Sequence, residues 1–496
     1  MAINGIGYGN NVLGQSLRSL NDQLTTLSAQ LTTGKKATTY AGMGVNEGFA
    51  VAARAQLSNI SGFTDTMTKI NTTISVANTA LQALADIGTQ VQNAAAASSQ
   101  TLNGAGQTIA QQNAQSQLGM MLGILNTQSG DRYVFSGAAI DTQPVTDADT
   151  LLNGSGAQAG LKQVISERQQ ADLGGGFGRL VLSAPATMPI NLREDTAPSV
   201  FGLKLNSVSS QLTGATVTGP IGSPPAVTIA LGAVPNNGDQ ISFKFNLPDG
   251  STETIQLTAS TAVPTPAGGF AIGATAAATS ANLNNALNSA IGTLANTSLV
   301  AASAVAATGD FFADPPQRVS GTPLASATAL VSGTAADTVF WYAGDNGAGT
   351  ARASSMARID QSVTVQYGAR ASEQGIRTQL QAVAVLAAVS STGPNAAAQA
   401  AALSGRVTQN LTAQPGQQTI QDIQADFSIA QSTMKDATAR QKQTQSMLQS
   451  IVDAAESVST DQVASQILAL QTALQASYQT TAMLSQLTLT KYLPLG

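Results

Sequence analysis

The chain of 496 residues has no cysteine and no histidine, a single tryptophan, aromatics at 4% and charged residues at 10%. Without cysteine there is no disulfide to staple a fold and no thiol chemistry. Without histidine the commonest general base, the usual zinc ligand and the familiar nucleophile–base triads are all missing. No serine or lysine sits in a setting that would activate it as a nucleophile. The sequence therefore points away from an enzyme, and it calls for no cofactor and no metal. The net charge of −5 comes without a basic patch, which argues against nucleic acid as a partner. The beginning, MAINGIGYGNNVLG, lacks a basic n-region and an apolar h-region, so it does not read as a cleaved signal peptide. The longest apolar runs, such as AVAVLAAV at 382–389, are too short to span a bilayer, so no membrane insertion is expected.

What is abundant is Ala, Thr, Ser, Gln and Asn, alongside 43% hydrophobic residues. Soluble domains carry about a quarter of charged residues. A surface this poor in charge suits a chain that buries much of itself against copies of itself.

The strongest pattern lies at the two ends. Leu13, Leu17, Leu20, Leu24, Leu27 and Leu31 are spaced 4, 3, 4, 3, 4. This narrow a/d stripe wants partner helices. Ile60, Phe63, Met67, Ile70, Ile74, Ala77, Leu81 and Leu84 repeat the pattern, and 107–128 reads as a third helix with Ile109, Leu118, Leu122 and Leu125 as core. Four glycines within 32–48 predict an irregular joint. At the far end Ile420, Ile423, Phe427, Ala430, Met434 and Ala437 continue in phase through Gln441 to Leu448 and Ile451. A break at ESVSTD follows, with Ser459 or Thr460 as the next cap. Val463, Ile467, Leu470 and Leu474 then repeat, Tyr478 lies four further on, and Leu484 and Leu487 extend the face.

Between these ends, 141–359 is rich in Gly, Pro, Thr and Ser. The stretch 240–258 predicts a β-hairpin, and 179–184, 227–231 and 338–344 predict strands. A short helix is expected over 280–294. The expected fold is α+β and multidomain, with long paired terminal helices forming a coiled-coil-like rod and a β-rich inserted middle. The simplest pairing sets 13–31 against 463–487, and 57–91 with 107–128 against 420–451. It divides the chain into 1–45 with 456–496, 46–140 with 360–455, and 141–359. The expected assembly interface is Leu13, Leu17, Leu20, Leu24, Leu27, Leu31, Val463, Ile467, Leu470, Leu474, Leu484 and Leu487.

Several stretches, most of them outside the middle, resemble the bacterial flagellin family, which includes filament and hook–filament junction subunits. LSAQLTTGKKATTYAG (27–42) resembles that family's helix, Ser/Thr-Gly, basic residue and loop, and residues 49–92 resemble the first long helix of its core. NTQSGDRYVFSG (126–137), VFWYAGDNG (339–347) and 365–386 are closer to junction subunits, as is the ending ALQASYQTTAMLSQLTLTKYL (473–493). The loop after Gly34 departs from the family, carrying only Glu47 where an acidic pair or Asp-Pro is usual. The resemblance implies an exported structural subunit, without a cleaved signal, in the extracellular flagellum. It would self-assemble into a helical homopolymer or ring with other flagellar axial proteins and would use an export chaperone. A filament subunit, a flagellin-like surface adhesin or ligand-binding protein, and a trimeric coiled-coil stalk are the alternatives. The terminal helices are expected to become ordered only on assembly, because isolated helices are marginal until packed.

The remaining motifs read as structural. GIGYG (5–9) follows no strand and is no dinucleotide site. DLGGGFG (172–178) reads as a turn. Asp141, Asp147 and Asp149 lack the glycine and glutamate of a calcium loop. Trp341 and Tyr342 read as packing residues in a strand, and Arg132 and Tyr133 as anchors of the turn after the third helix.

Overall fold

A computed structural model describes residues 5–97, 101–185 and 187–490. The protein is mixed α/β with long helices at both ends. The helices are α1 (Gly5–Thr33), α2 (Glu47–Ala97), α3 (Ile109–Leu125), α4 (Ala148–Asn153), α5 (Leu161–Leu173), α6 (Ala276–Leu294), α7 (Val300–Phe311), α8 (Gln374–Ala388), α9 (Ala396–Asn410), α10 (Ile420–Glu456) and α11 (Thr460–Thr490). The chain divides into two compact units. The first holds 1–69, 357–365 and 431–496, and the second holds 70–356 and 366–430. Helices α2 and α10 contribute to both.

In the first unit α1 packs along α11. A small core joins the beginning of α2 to the end of α10, with Ala53, Leu448 and Val452 buried and Leu57 and Ile60 against them. Ile451, expected to face inward, is exposed, and Val452 takes its place. Gln441, in phase with the apolar stripe, is buried and donates Nε2 to the Ile359 carbonyl at 2.7 Å. A polar residue is tolerated in a core when its hydrogen bond is made inside it.

The second unit contains the described β-structure of the middle. Two four-stranded sheets form there. In one, Gln240–Asn246 pairs antiparallel with Thr252–Ser260 and with Lys204–Ser210. The alternation of Ile241, Phe243 and Phe245, all buried, makes this the hairpin its sequence predicts. In the other, Ile190–Glu194 lies between Leu180–Leu182 and Ala226–Leu231. Ser251 Oγ and backbone nitrogen both bind the Asp249 carboxylate at the hairpin turn.

The middle is not only strand. Helices α4 to α7 lie within it, and α6 runs on through a π-helical turn (Ala295–Leu299) into α7. The expected short helix over 280–294 is thus part of a 36-residue helix. That helix is apolar enough in one window to cross a membrane by length and composition, yet 56% of the window is buried inside the protein. The strand expected over 338–344 is not formed. Thr338 and Tyr342 make isolated bridges to Ala159 and Val145. Trp341 is buried in this loop and donates its indole N–H to the Phe312 carbonyl at 3.2 Å. Ile109, expected in the core, is 69% exposed. It is the first residue after the Thr108 cap, and the capping box with Gln111 turns the next residues, Ala110 and Gln111, inward.

Buried ion pairs brace the second unit. Arg168 on α5 binds two carboxylates, Asp172 at 3.0 Å and Asp310 of α7 at 2.6 Å, and lies over the Phe201 ring. Asp172 falls in the expected turn motif, but it also accepts the Gly202 N–H at 2.8 Å. Burial pushes both carboxyls above the usual aspartate range, Arg168 opposes the shift, and Asp172 adds to it at Asp310. A carboxyl whose folded pKa is raised favours the folded state while protonated, and that contribution is lost as pH rises through the folded value. In Asp172→Asn the repulsion on Asp310 is gone and Arg168 serves one acid. The Asp310 carboxyl is then expected to titrate at lower pH than in the wild type, by carbon-13 NMR. An unchanged or higher midpoint would count against this account of the triad.

Candidate assembly face of the terminal helices

Between α1 and α2 the chain turns on Gly34, and between α10 and α11 it turns on Ser457 to Ser459. These two turns clasp each other. Lys36 donates its backbone N–H to the Glu456 carbonyl at 2.7 Å, and Val458 donates to Gly34 at 3.0 Å. Lys35 bridges Ser457 antiparallel. The Lys36 ammonium reaches the Ala454 carbonyl at 2.8 Å, a cation at the end of α10 where unpaired carbonyls gather. Gln30 closes the corner by donating Nε2 to the Lys36 carbonyl at 2.7 Å. Arg54 pairs with the buried Glu456 at 2.6 Å. The chain's two ends are therefore held in one register before any leucine is considered.

Beyond the clasp the seam is loose. Leu17, Leu20, Leu24 and Leu27 of α1 are only half-buried. On α11 Val463 and Leu474 are buried, and Ile467 and Leu470 are half-buried. Leu31 is 40% exposed, and Gln30 takes the inward position beside it. Tyr478 is likewise turned out, while Ser477 and Thr481 occupy the inward phase. The side chains of Leu13, Leu484 and Leu487 lie outside the described residues.

The partnered face is thus incomplete, and single apolar side chains stand outside it. Val12, Leu468, Tyr478 and Met483 are exposed on the same two helices, Leu468 at 65%. A groove of about 620 Å³ opens along them, lined by Gln15, Arg18, Asp22, Gln23, Thr26 and Gln466 among others. Charge is sparse: Arg18 and Asp22 are the charged residues of α1, and Asp461 is that of α11. The unfilled seam and the scarcity of charge make this pair of helices the candidate for contact with other protein. Among the described residues no group of three or more acidic side chains is placed to hold a metal. Asp147 caps α4 by accepting the Asp149 and Thr150 N–H groups, which lowers its pKa. Sequence reasoning did not single out the clasp; its signal was the pair of breaks at Gly34 and ESVSTD.

Gly34 has φ +69° with nothing near its Cβ position, so a side chain there costs backbone energy alone. Gly34→Val is expected to cost about 1–2 kcal/mol and to speed hydrogen exchange at the Val458 amide. Gly14, inside α1 with open space around it, is the contrast. Gly14→Ala is expected to stabilise α1 by about 0.5–1 kcal/mol in the same exchange measurement. Equal effects at the two glycines would sink the clasp as the fixing element. No protein-family model matches the chain, and no curated protein matches its sequence.

Proposed function

We propose that this chain is a structural subunit of the bacterial flagellum, assembling through its terminal helices into a helical tube, as the hook–filament junction subunit. The observation that carries the reading is the half-closed seam of α1 and α11, sparse in charge, whose leucines on α1 are only half-buried. In this reading the two helices are a coiled-coil-like pair that completes its burial on neighbouring copies. Burying a leucine fully stabilises by about 1.5–3 kcal/mol, while ordering costs about 1–2 kcal/mol per residue. With one leucine in every three or four residues, each only half-buried, the pair is weakly held alone. Neighbours supply the missing burial. A tube further requires a contact between unlike faces whose rotation does not close on itself. The junction-like stretches at 126–137, 339–347 and 473–493 favour the junction over the filament. The resemblance also implies export to the extracellular flagellum, other axial proteins as neighbours and an export chaperone.

The filament subunit is the second reading, and copy number separates the two. Quantitative immunogold labelling of intact cells is expected to show one short ring at the hook's distal end. Label along the whole filament, or long tubes formed by the purified protein alone, would favour the filament. Label spread over the cell body, with motility unaffected by deletion, would favour an adhesin.

Two tests address the seam. Amides from Leu17 to Leu31 are expected to exchange fast in the soluble subunit and slowly after assembly; strong protection before assembly would contradict the proposal. Leu24→Asp is expected to abolish assembly while the fluorescence of Trp341, buried in the second unit, stays native. Normal assembly of that variant would remove α1 from the interface.

A further inference from the structure

The second unit uses its buried cations with consistency. Arg168, Arg179, Lys204, Arg318, Arg352, Arg370 and Arg406 are buried or half-buried, and each has a carboxylate within 4 Å. The cations of that unit without such a partner, Arg132, Lys162, Arg193 and Lys244, are exposed. Arg377 breaks the pattern. It is half-buried in the first turn of α8, and among the described residues its guanidinium has no ion pair and no hydrogen bond. None of its nitrogens is both buried and unpartnered, so the charge keeps contact with solvent and is open to an anionic ligand.

Arg377 lines a cleft of about 510 Å³ within this unit, bounded by α7, α8, the end of α9 and the turn at Pro248–Asp249. Thr378, Gln381, Asn410 and Gln417 share the cleft, and none of these side chains has a hydrogen-bond partner among the described residues. The single carboxylate on the wall, Asp249, is already held by Arg406 at 2.8 Å. The cleft is therefore a set of unused donors and acceptors around one unused positive charge. Its size is that of an ordinary ligand site.

We propose that this cleft binds a short extended peptide segment through one internal acidic side chain. Arg377 takes the carboxylate, for which its planar donors are suited. Free amides donate and accept together, as a peptide backbone requires. On α8, Gln374 and Gln381 stand on either side of Arg377, so contacts continue both ways from the acid. Their seven-residue separation is about 10 Å, the length of about three extended residues. The floor is small: Ala306 and Gly309 of α7 leave room for the peptide's own side chains. A sugar is disfavoured because the cleft's one aromatic, Phe312, is buried and offers no face to stack on. The site is separate from the terminal helices and does not depend on their role.

Fluorescence polarisation on the full chain tests it with labelled tetrapeptides: one aspartate among alanines with a blocked end, tetra-alanine with a free end, and tetra-alanine fully blocked. The aspartyl peptide is expected to bind about tenfold or more tightly than the other two, the size of one charged hydrogen-bonded contact. Arg377→Gln is expected to erase that preference. Gly309→Leu, at a helical position with open space beside it, is expected to abolish binding of all three by filling the cleft, with thermal unfolding unchanged or raised. Equal binding of the blocked and aspartyl peptides would overturn the proposal. So would a preference for the free end, displacement by glucuronate at lower concentration than by peptide, or unchanged binding in Arg377→Gln. Should Gly309→Leu not fold, the Arg377→Gln comparison alone decides.

Discussion

The first unit depends on a backbone clasp rather than on its leucines. Lys36 to Glu456 and Val458 to Gly34 are two hydrogen bonds between segments more than 400 residues apart in sequence. Closing so long a loop costs entropy that grows only slowly with length, so once closed the ends can be held by a few local contacts. Geometry sets the rest. With the turns fixed, α1 can only run beside α11 in one register, and α2 beside the end of α10. The leucine stripe then fills whatever burial that register allows, and for α1 it allows about half.

The same constraint explains which parts of the helical pattern could be read in advance. Existence, direction and most of the inward residues of α1, α2, α10 and α11 follow from a 3–4 spacing. The errors differ in cause. Ile451 stands late in a long run counted with a period of 3.5 and is turned outward by a helix of 3.6 residues per turn. Tyr478 follows Leu474 by four residues where the repeat calls for three, which puts Ser477 in phase and Tyr478 outside. Leu31 is exposed although it continues the spacing. Gln30, Val452 and Ser477, one place away, sit inward or nearly so. A heptad count is trustworthy over two turns and progressively less so beyond, unless a supercoil restores the phase.

In the middle, the hairpin at 240–258 was legible because its apolar residues alternate strictly and a Pro-Asp-Gly turn divides them. Helices α5 and α7 were not. Leu161–Leu173 has charged residues among its buried ones, Arg168 and Asp172, whose burial depends on Asp310 far along the chain. Val300–Phe311 is made largely of alanine, which gives no face a stronger signal than another. The loop at 338–344 has the composition of a strand but makes only single bridges, to Ala159 and Val145, so it packs Trp341 and Tyr342 without extending a sheet. Arg377 was equally hidden. An arginine beside glutamines says nothing until the fold shows that every other shielded cation in its unit is matched.

The distribution of charge ties these observations together. The second unit places its charges where they fix geometry: Arg168 joins α5 to α7, Arg406 joins α9 to the hairpin turn, and Arg352 stacks on Phe427 while pairing with Glu373. Breaking such a pair leaves a buried charge alone, so these contacts make the unit specific even where they add little net stability. The terminal helices do the opposite. Their contact surface carries almost no charge, so nothing resists the approach of another such helix, and nothing but apolar burial rewards it. The sparseness of charge belongs to α1 and α11 and not to their whole unit, in which Arg54 pairs with Glu456 and Lys36 caps the end of α10.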